Sequence, residues 1–130
     1  MSGRLALVAI VVEAYDPAIL WFSRALGFTL KEDSPRPSGG RWVVMSPPSG
    51  GADILLAEAA NEDQRAARGG AAGGRVAFFL ETDDFAADHT RMRAAGGEFE
   101  EAPRDEPYGR VAVFRDLCGN RWDLLQRRPA

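Results

Sequence analysis

Gly40-Arg41-Trp42-Val43-Val44 and Gly109-Arg110-Val111-Ala112-Val113 are two versions of one stretch, and their relation decides how the chain is read. Gly50 stands ten positions after Gly40, and Gly119 stands ten after Gly109. Beyond those glycines, Ile54-Leu55-Leu56 falls on Asp123-Leu124-Leu125. Further upstream, Leu26-Gly27-Phe28 takes the place of Ala95-Gly96-Gly97. Self-similarity of this kind marks one supersecondary unit used twice.

Local patterning fills in each copy. Leu5 to Val12 is a short aliphatic run that ends at a turn signal, as a buried strand does. Asp16-Pro17 is read as the N-cap and first residue of a helix. Ile19, Phe22 and Leu26 recur at helical spacing, and Gly27 stands at the C-cap. Phe28 to Asp33, Trp42 to Met45 and Asp53 to Ala57 read as strands, with Ser34 to Gly40 a loop. In the second copy Val76 to Leu80 is a strand, and Thr82-Asp83-Asp84 opens a helix that Gly96-Gly97 closes. Glu98 to Glu101, Val111 to Phe114 and Arg121 to Gln126 are strands, and Pro103 to Gly109 is a loop. Between the copies, Ala59 to Ala67 has the composition of a short polar helix, and Gly69 to Gly74 (GGAAGG) breaks regular structure.

The expected architecture is α+β: two βαβββ modules forming a curled, mixed, eight-stranded sheet shaped as a cup. It forms one domain over residues 5–127, with module 1 about 5–58, a linker 59–74 and module 2 about 75–127. A ferredoxin-like arrangement has one strand fewer per module and fits less well.

Composition narrows the function classes. At 130 residues, 45% of them hydrophobic, the chain can bury a core without staples. One cysteine, Cys118, rules out an internal disulfide framework and fits a reducing cytoplasmic location. The apolar run near Met1 is too short for a signal peptide, and no segment approaches a membrane span. The net charge is −3 with both signs scattered, so no basic stripe announces nucleic acid. The expected partners are a small-molecule ligand and a second copy of the chain, as a homodimer, with neither nucleic acid nor membrane.

Three stretches carry a family resemblance: Tyr15-Asp16-Pro17-Ala18-Ile19 with Leu26-Gly27-Phe28; Thr82-Asp83-Asp84-Phe85; and Phe114-Arg115-Asp116-Leu117-Cys118-Gly119-Asn120-Arg121-Trp122-Asp123-Leu124. The last is similar to an F-x-D-P-x-G-N-x-x-E-L ending. Over Leu5 to Gln126 the chain resembles the vicinal oxygen chelate superfamily, the glyoxalase, bleomycin-resistance and dioxygenase group. The resemblance implies that metal-dependent members set four ligands, mostly His and Glu, on the first and last strands of each module. The matching positions here are Leu7, Ile54, Ala77 and Asp123. Three of them have no lone pair to offer a cation, so the expectation is no metal and no other cofactor. The one histidine, His89, falls in the second helix.

Strand alternation then extends the cup lining. Leu7, Ile54, Ala77, Phe79, Arg75 and Asp123 are expected on the concave face, with Trp42 on the third strand and Arg104 and Tyr108 at the rim. Asp123 and Arg75 are the expected polar pair of an otherwise apolar cup. Asp123 has two open readings: a partly desolvated acid/base, or a structural ion-pair partner of Arg75 or Arg121. Two main function classes follow. The first is a metal-free binding protein for an apolar or aromatic small molecule. The second is a metal-independent isomerase, epimerase or lyase acting on a small carbonyl compound, with Asp123 or Tyr108 as acid/base. A regulatory domain with a vestigial cup is the third possibility, since fold alone does not choose.

Overall fold

A computed structural model describes residues 1–129 as two compact units, the first Met1–Arg68 and the second beginning at Gly69. In the first unit, β1 (Leu7–Val12) leads into α1 (Tyr15–Leu26), followed by β2 (Thr29–Pro35), β3 (Arg41–Ser46), β4 (Asp53–Glu58) and the short α2 (Glu62–Ala67). The sheet runs in the order β1-β4-β3-β2, with β1 parallel to β4 and the other pairs antiparallel. The second unit repeats that topology. It contains β5 (Val76–Glu81), α3 (Phe85–Ala94), β6 (Glu98–Phe99), β7 (Arg104–Glu106), β8 (Gly109–Arg115) and β9 (Arg121–Arg127), ordered β5-β9-β8-β6. Strand β7 pairs with β8 as an addition to the repeat. Among the described residues, nine strands therefore stand where eight were expected. The segment Pro103 to Gly109, expected as a loop, folds as a hairpin arm because Arg104 and Glu106 register against Val111 and Gly109.

Helices α1 and α3 each cover one face of their own sheet. In the first unit Ala18, Phe22, Ala25 and Leu26 of α1 are buried together with Ile10, Val12, Val43, Met45, Ile54 and Leu56. In the second, Phe85 and Met92 of α3 are buried with Ala112, Phe114, Trp122 and Leu124. The internal repeat reaches individual side chains. The Arg41 guanidinium lies 5.0 Å from the Tyr15 ring centre, and Arg110 lies 5.4 Å from that of Phe85. These are the two arginines that follow Gly40 and Gly109, each set over the first ring of its module's helix.

The helix boundaries show which local signals held. Gly27 ends α1 in the left-handed conformation (φ 69°), where a Cβ is costly. Asp84 caps α3, accepting a hydrogen bond from the Ala87 amide at 3.2 Å. Asp16 does not cap α1. The helix begins two residues earlier with Ala14 at the N-cap, and the Asp16 carboxylate accepts a hydrogen bond from Arg41 Nη2 (2.9 Å) instead. No helix among the described residues is long and apolar enough to cross a membrane.

Candidate functional site

Strand β9 sorts its side chains by alternation. Trp122 meets Phe114 (5.7 Å between ring centres) and Phe78 (4.8 Å). Phe114 continues through Phe99 to His89 of α3. Trp122, Leu124 and Gln126 are therefore on the α3 side, and Arg121, Asp123, Leu125 and Arg127 point to the far face. The turn that feeds β9 is built on Asp116. Its Oδ1 accepts from the amides of Cys118 (2.9 Å) and Asn120 (3.0 Å), and its Oδ2 from Asn120 Nδ2 (3.0 Å) and Trp122 Nε1 (3.0 Å). The D-x-x-G-N stretch is thus structural: one buried carboxylate fixes the turn and orients Trp122, which sets the phase of the strand.

Asp123 sits at the middle of the far face. It pairs with Val113 on β8 and with Phe79 on β5. Asp123 is 9% exposed, and its Oδ1 is the buried side-chain atom without a hydrogen-bond partner among the described residues. Burial pushes its carboxyl above the ordinary carboxylate range. Arg104 opposes that effect, Glu101 adds to it, and Arg121 opposes it. Its neighbour Phe79 is 65% exposed.

Arg104, expected as a rim clamp, is held within β7. Its Nη1 donates to Glu106 Oε1 (2.7 Å) and its Nε to Glu101 Oε1 (3.1 Å). Glu101 in turn accepts from the Val113 amide through Oε2 (2.9 Å). Glu106, the Tyr108 hydroxyl and Glu101 all favour the charged guanidinium, so its pKa is raised against the effect of burial. Tyr108 occupies the turn between β7 and β8 and is largely exposed, and its carbonyl accepts from the Arg128 amide (3.0 Å). Arg121 forms a two-point pair with Glu100, Nε to Oε2 at 2.9 Å and Nη2 to Oε1 at 3.1 Å. Glu100 and Glu101 were not singled out in the sequence, where they read as part of a charged strand. The spacing of Glu101, Arg104 and Glu106 was the available signal.

Arg75 does not pair with Asp123. It is exposed at the end of a 3-10 turn (Ala71–Gly74), and the charges acting on Asp123 are Arg104, Glu101 and Arg121. The reason is a register shift. Val76 pairs with Arg121 and Phe78 with Trp122, so Ala77 is one residue too many for the ladder. An extra residue reverses the alternation of everything before it. Parity counted back from Phe79 therefore fails at Arg75.

In the first unit the expected lining divides between two faces. Leu7 pairs with Asp53, and Val8 pairs with Ile54. Ile54 thus lies with Ile10 and Leu56 on the α1 face, while Leu7 lies on the far face. The counterpart of Asp123 is Leu55: Val44 pairs with Leu55 as Val113 pairs with Asp123. The β3–β4 turn holds two glycines, Gly50 and Gly51, where the β8–β9 turn holds Gly119. Counting from Gly50 therefore lands one residue early. Trp42 is half-buried on the far face, with the Arg36 guanidinium 5.9 Å from its ring centre. Asp53 lies on that face too. It accepts from Lys31 Nζ and Ser46 Oγ, both at 2.8 Å, and these bonds, Lys31's first, hold its carboxyl below the ordinary range.

Substituting Leu55 for Ile54 leaves the donor set at the four family positions unchanged in kind: Leu7, Leu55, Ala77 and one carboxylate, Asp123. A catalytic or structural transition-metal site needs three or four N, O or S ligands. Among the described residues no group of three or more His, Cys, Asp or Glu side chains is placed to hold an ion. These residues do not fit a metal.

The comparisons with known proteins concern the family and the fold. The family model described as Glyoxalase/Bleomycin resistance protein/Dioxygenase superfamily matches residues 4–124. An uncharacterized protein of Shewanella frigidimarina (strain NCIMB 400) is 47% identical over 128 residues, covering 97% of this chain and 95% of the relative. The crystal structure of UcmS2 superposes with a TM-score of 0.82 at 29% identity, covering 96% of this chain and 98% of that one. TnmS3, an antibiotic binding protein from Streptomyces sp. CB03234, superposes with a TM-score of 0.76 at 26% identity, covering 98% of each chain. With the repeated sheet topology and a family match over nearly its whole length, the chain belongs to the glyoxalase/bleomycin resistance protein/dioxygenase superfamily.

Proposed function

We propose that the protein is a metal-free binder of an apolar or aromatic small molecule, held on the far face of the second sheet. The observation that carries this reading is the pairing of a solvent-exposed ring, Phe79, with a nearly buried carboxylate, Asp123. Apolar surface supplies affinity and one polar group fixes orientation, which is the usual division of labour in small-molecule sites. The donor-poor set Leu7, Leu55 and Ala77 supports binding without an ion, and the likeness to TnmS3 supports a ligand of antibiotic type. We also propose that the chain works as one domain over residues 5–127 and as a cytoplasmic homodimer.

A second reading has its own support. A carboxyl whose pKa burial raises is suited to take a proton from a carbon next to a carbonyl. Asp123 is then the acid/base of an isomerase, epimerase or lyase, in preference to Tyr108, which lies exposed in the turn between β7 and β8.

One experiment separates the two. The protein is incubated with a panel of aromatic drugs and small ketones and acids, and what co-purifies is weighed by mass spectrometry. Recovery of an unaltered ligand, lost in Phe79→Ser, is the expected result. Recovery of an altered ligand supports the enzyme, and retention of ligand by Phe79→Ser removes the site.

A further inference from the structure

The unpartnered oxygen of Asp123 specifies the ligand more closely, on the premise that the far face of the second sheet binds one. The cations of that face are already engaged: Arg104 by Glu101 and Glu106, Arg121 and Arg115 by Glu100, and Arg127 by Glu81 at 3.1 Å. Even the Val113 amide, next to Asp123, uses a Glu101 oxygen. What the face lacks is a donor. A buried acceptor without one carries a desolvation cost that a ligand donor removes. An anionic ligand meets the opposite situation, because each arginine already faces a carboxylate and Asp123 itself repels it.

We propose that the ligand is an aromatic molecule bearing a hydroxyl or amino group, which lays its ring against the exposed Phe79 and donates a hydrogen bond to the Asp123 carboxylate, a turn of the carboxylate about its Cβ–Cγ bond bringing the sealed Oδ1 to the donor. The dimensions suit this. Adjacent strands lie about 4.8 Å apart, so a substituent one bond beyond a ring on Phe79 reaches the neighbouring carboxylate. The selectivity is for a donor and against an acid, which an apolar surface alone does not supply.

Three probes of one shape test it: 2-naphthol, 2-methylnaphthalene and 2-naphthoate, titrated by ligand-observed NMR into the wild type, Asp123→Leu and Asp123→Asn. By apolar burial alone the methyl compound should bind tightest. The expected order in the wild type is naphthol, then methylnaphthalene, then naphthoate. The naphthol-to-methylnaphthalene affinity ratio should fall about tenfold in Asp123→Leu, the loss of one charge-assisted hydrogen bond. Asp123→Asn, which keeps an acceptor oxygen, should retain part of the ratio. The wild-type order needs no variant to fold. Methylnaphthalene or naphthoate binding tightest, or an unchanged ratio in Asp123→Leu, overturns this inference and leaves the binding reading standing. If none of the three binds the wild type, both are overturned.

Discussion

Phe79 stands directly across from Asp123 in the parallel pairing of β5 with β9, so an exposed ring and an unsatisfied carboxylate share one face of one sheet. Such a pair is a poor use of the positions if stability alone is served. An exposed aromatic leaves apolar area in water, and a buried acceptor without a donor carries its desolvation cost.

Asp123→Asn should stabilise the unliganded protein near neutral pH by about 1 kcal/mol, since it removes a charge from a site that burial disfavours. Because the folded carboxyl is raised above its ordinary 3.8, the aspartate's contribution to stability is complete below that value. It is lost as pH rises through the folded pKa. The advantage of asparagine should therefore appear only as pH rises, and vanish below about 3.8. Urea titrations of both proteins from pH 3 to 7 check this. A variant less stable than wild type at neutral pH means that Asp123 holds the fold.

Asp116→Ala should be the most damaging single substitution of a polar residue in the second unit. It removes four hydrogen bonds, among them those from the buried Trp122 indole N–H and both amide groups of Asn120. The expected loss is about 3 kcal/mol or more, measured by thermal or chemical unfolding. Loss of less than about 1 kcal/mol means that the turn is held by its backbone alone.

Two glycines of the segment before β5 should respond differently to alanine. Gly69 has φ +80°, and a Cβ there stands 2.4 Å from the Cys118 carbonyl oxygen. Gly73 has φ +63°, but its Cβ meets nothing within 4 Å. Gly73→Ala should cost only the left-handed backbone term, about 1 kcal/mol, and Gly69→Ala that term plus the clash, above about 2 kcal/mol. Equal melting temperatures for the two variants refute the close approach of Gly69 to the Asp116 turn.

His89, the chain's one histidine, packs between Phe85 (5.6 Å between ring centres) and Phe99 (4.3 Å). Burial first, then Arg93 and Arg110, lower its pKa below 6.5. Its stabilising contribution is complete above 6.5 and is lost as pH falls through the folded value. The imidazole resonances should titrate below 6.5, and His89→Leu should flatten the stability profile on the acid side of pH 6.5. A midpoint above 6.5 contradicts the packing described.

The sequence by itself determined the architecture. Strand and helix periods, Gly27 and Asp84 at helix ends, and the glycine-spaced repeat are local signals, and each copy of the repeat corroborated the other. It also supplied the argument against a cation at the family's ligand positions, because aliphatic side chains offer no lone pair wherever they point. Only the tertiary structure decided which side chains share a face. Alternation is exact along a regular strand, but one extra residue inverts it. The bulge at Ala77 moved Arg75 away from Asp123, and the second glycine of the β3–β4 turn put Ile54 under α1 and Leu55 in its place. Partners across strands escaped the sequence for a related reason. Glu101 reaches across to the Val113 amide of β8, a contact with no local signature, while the oxygen of Asp123 beside it is left unclaimed.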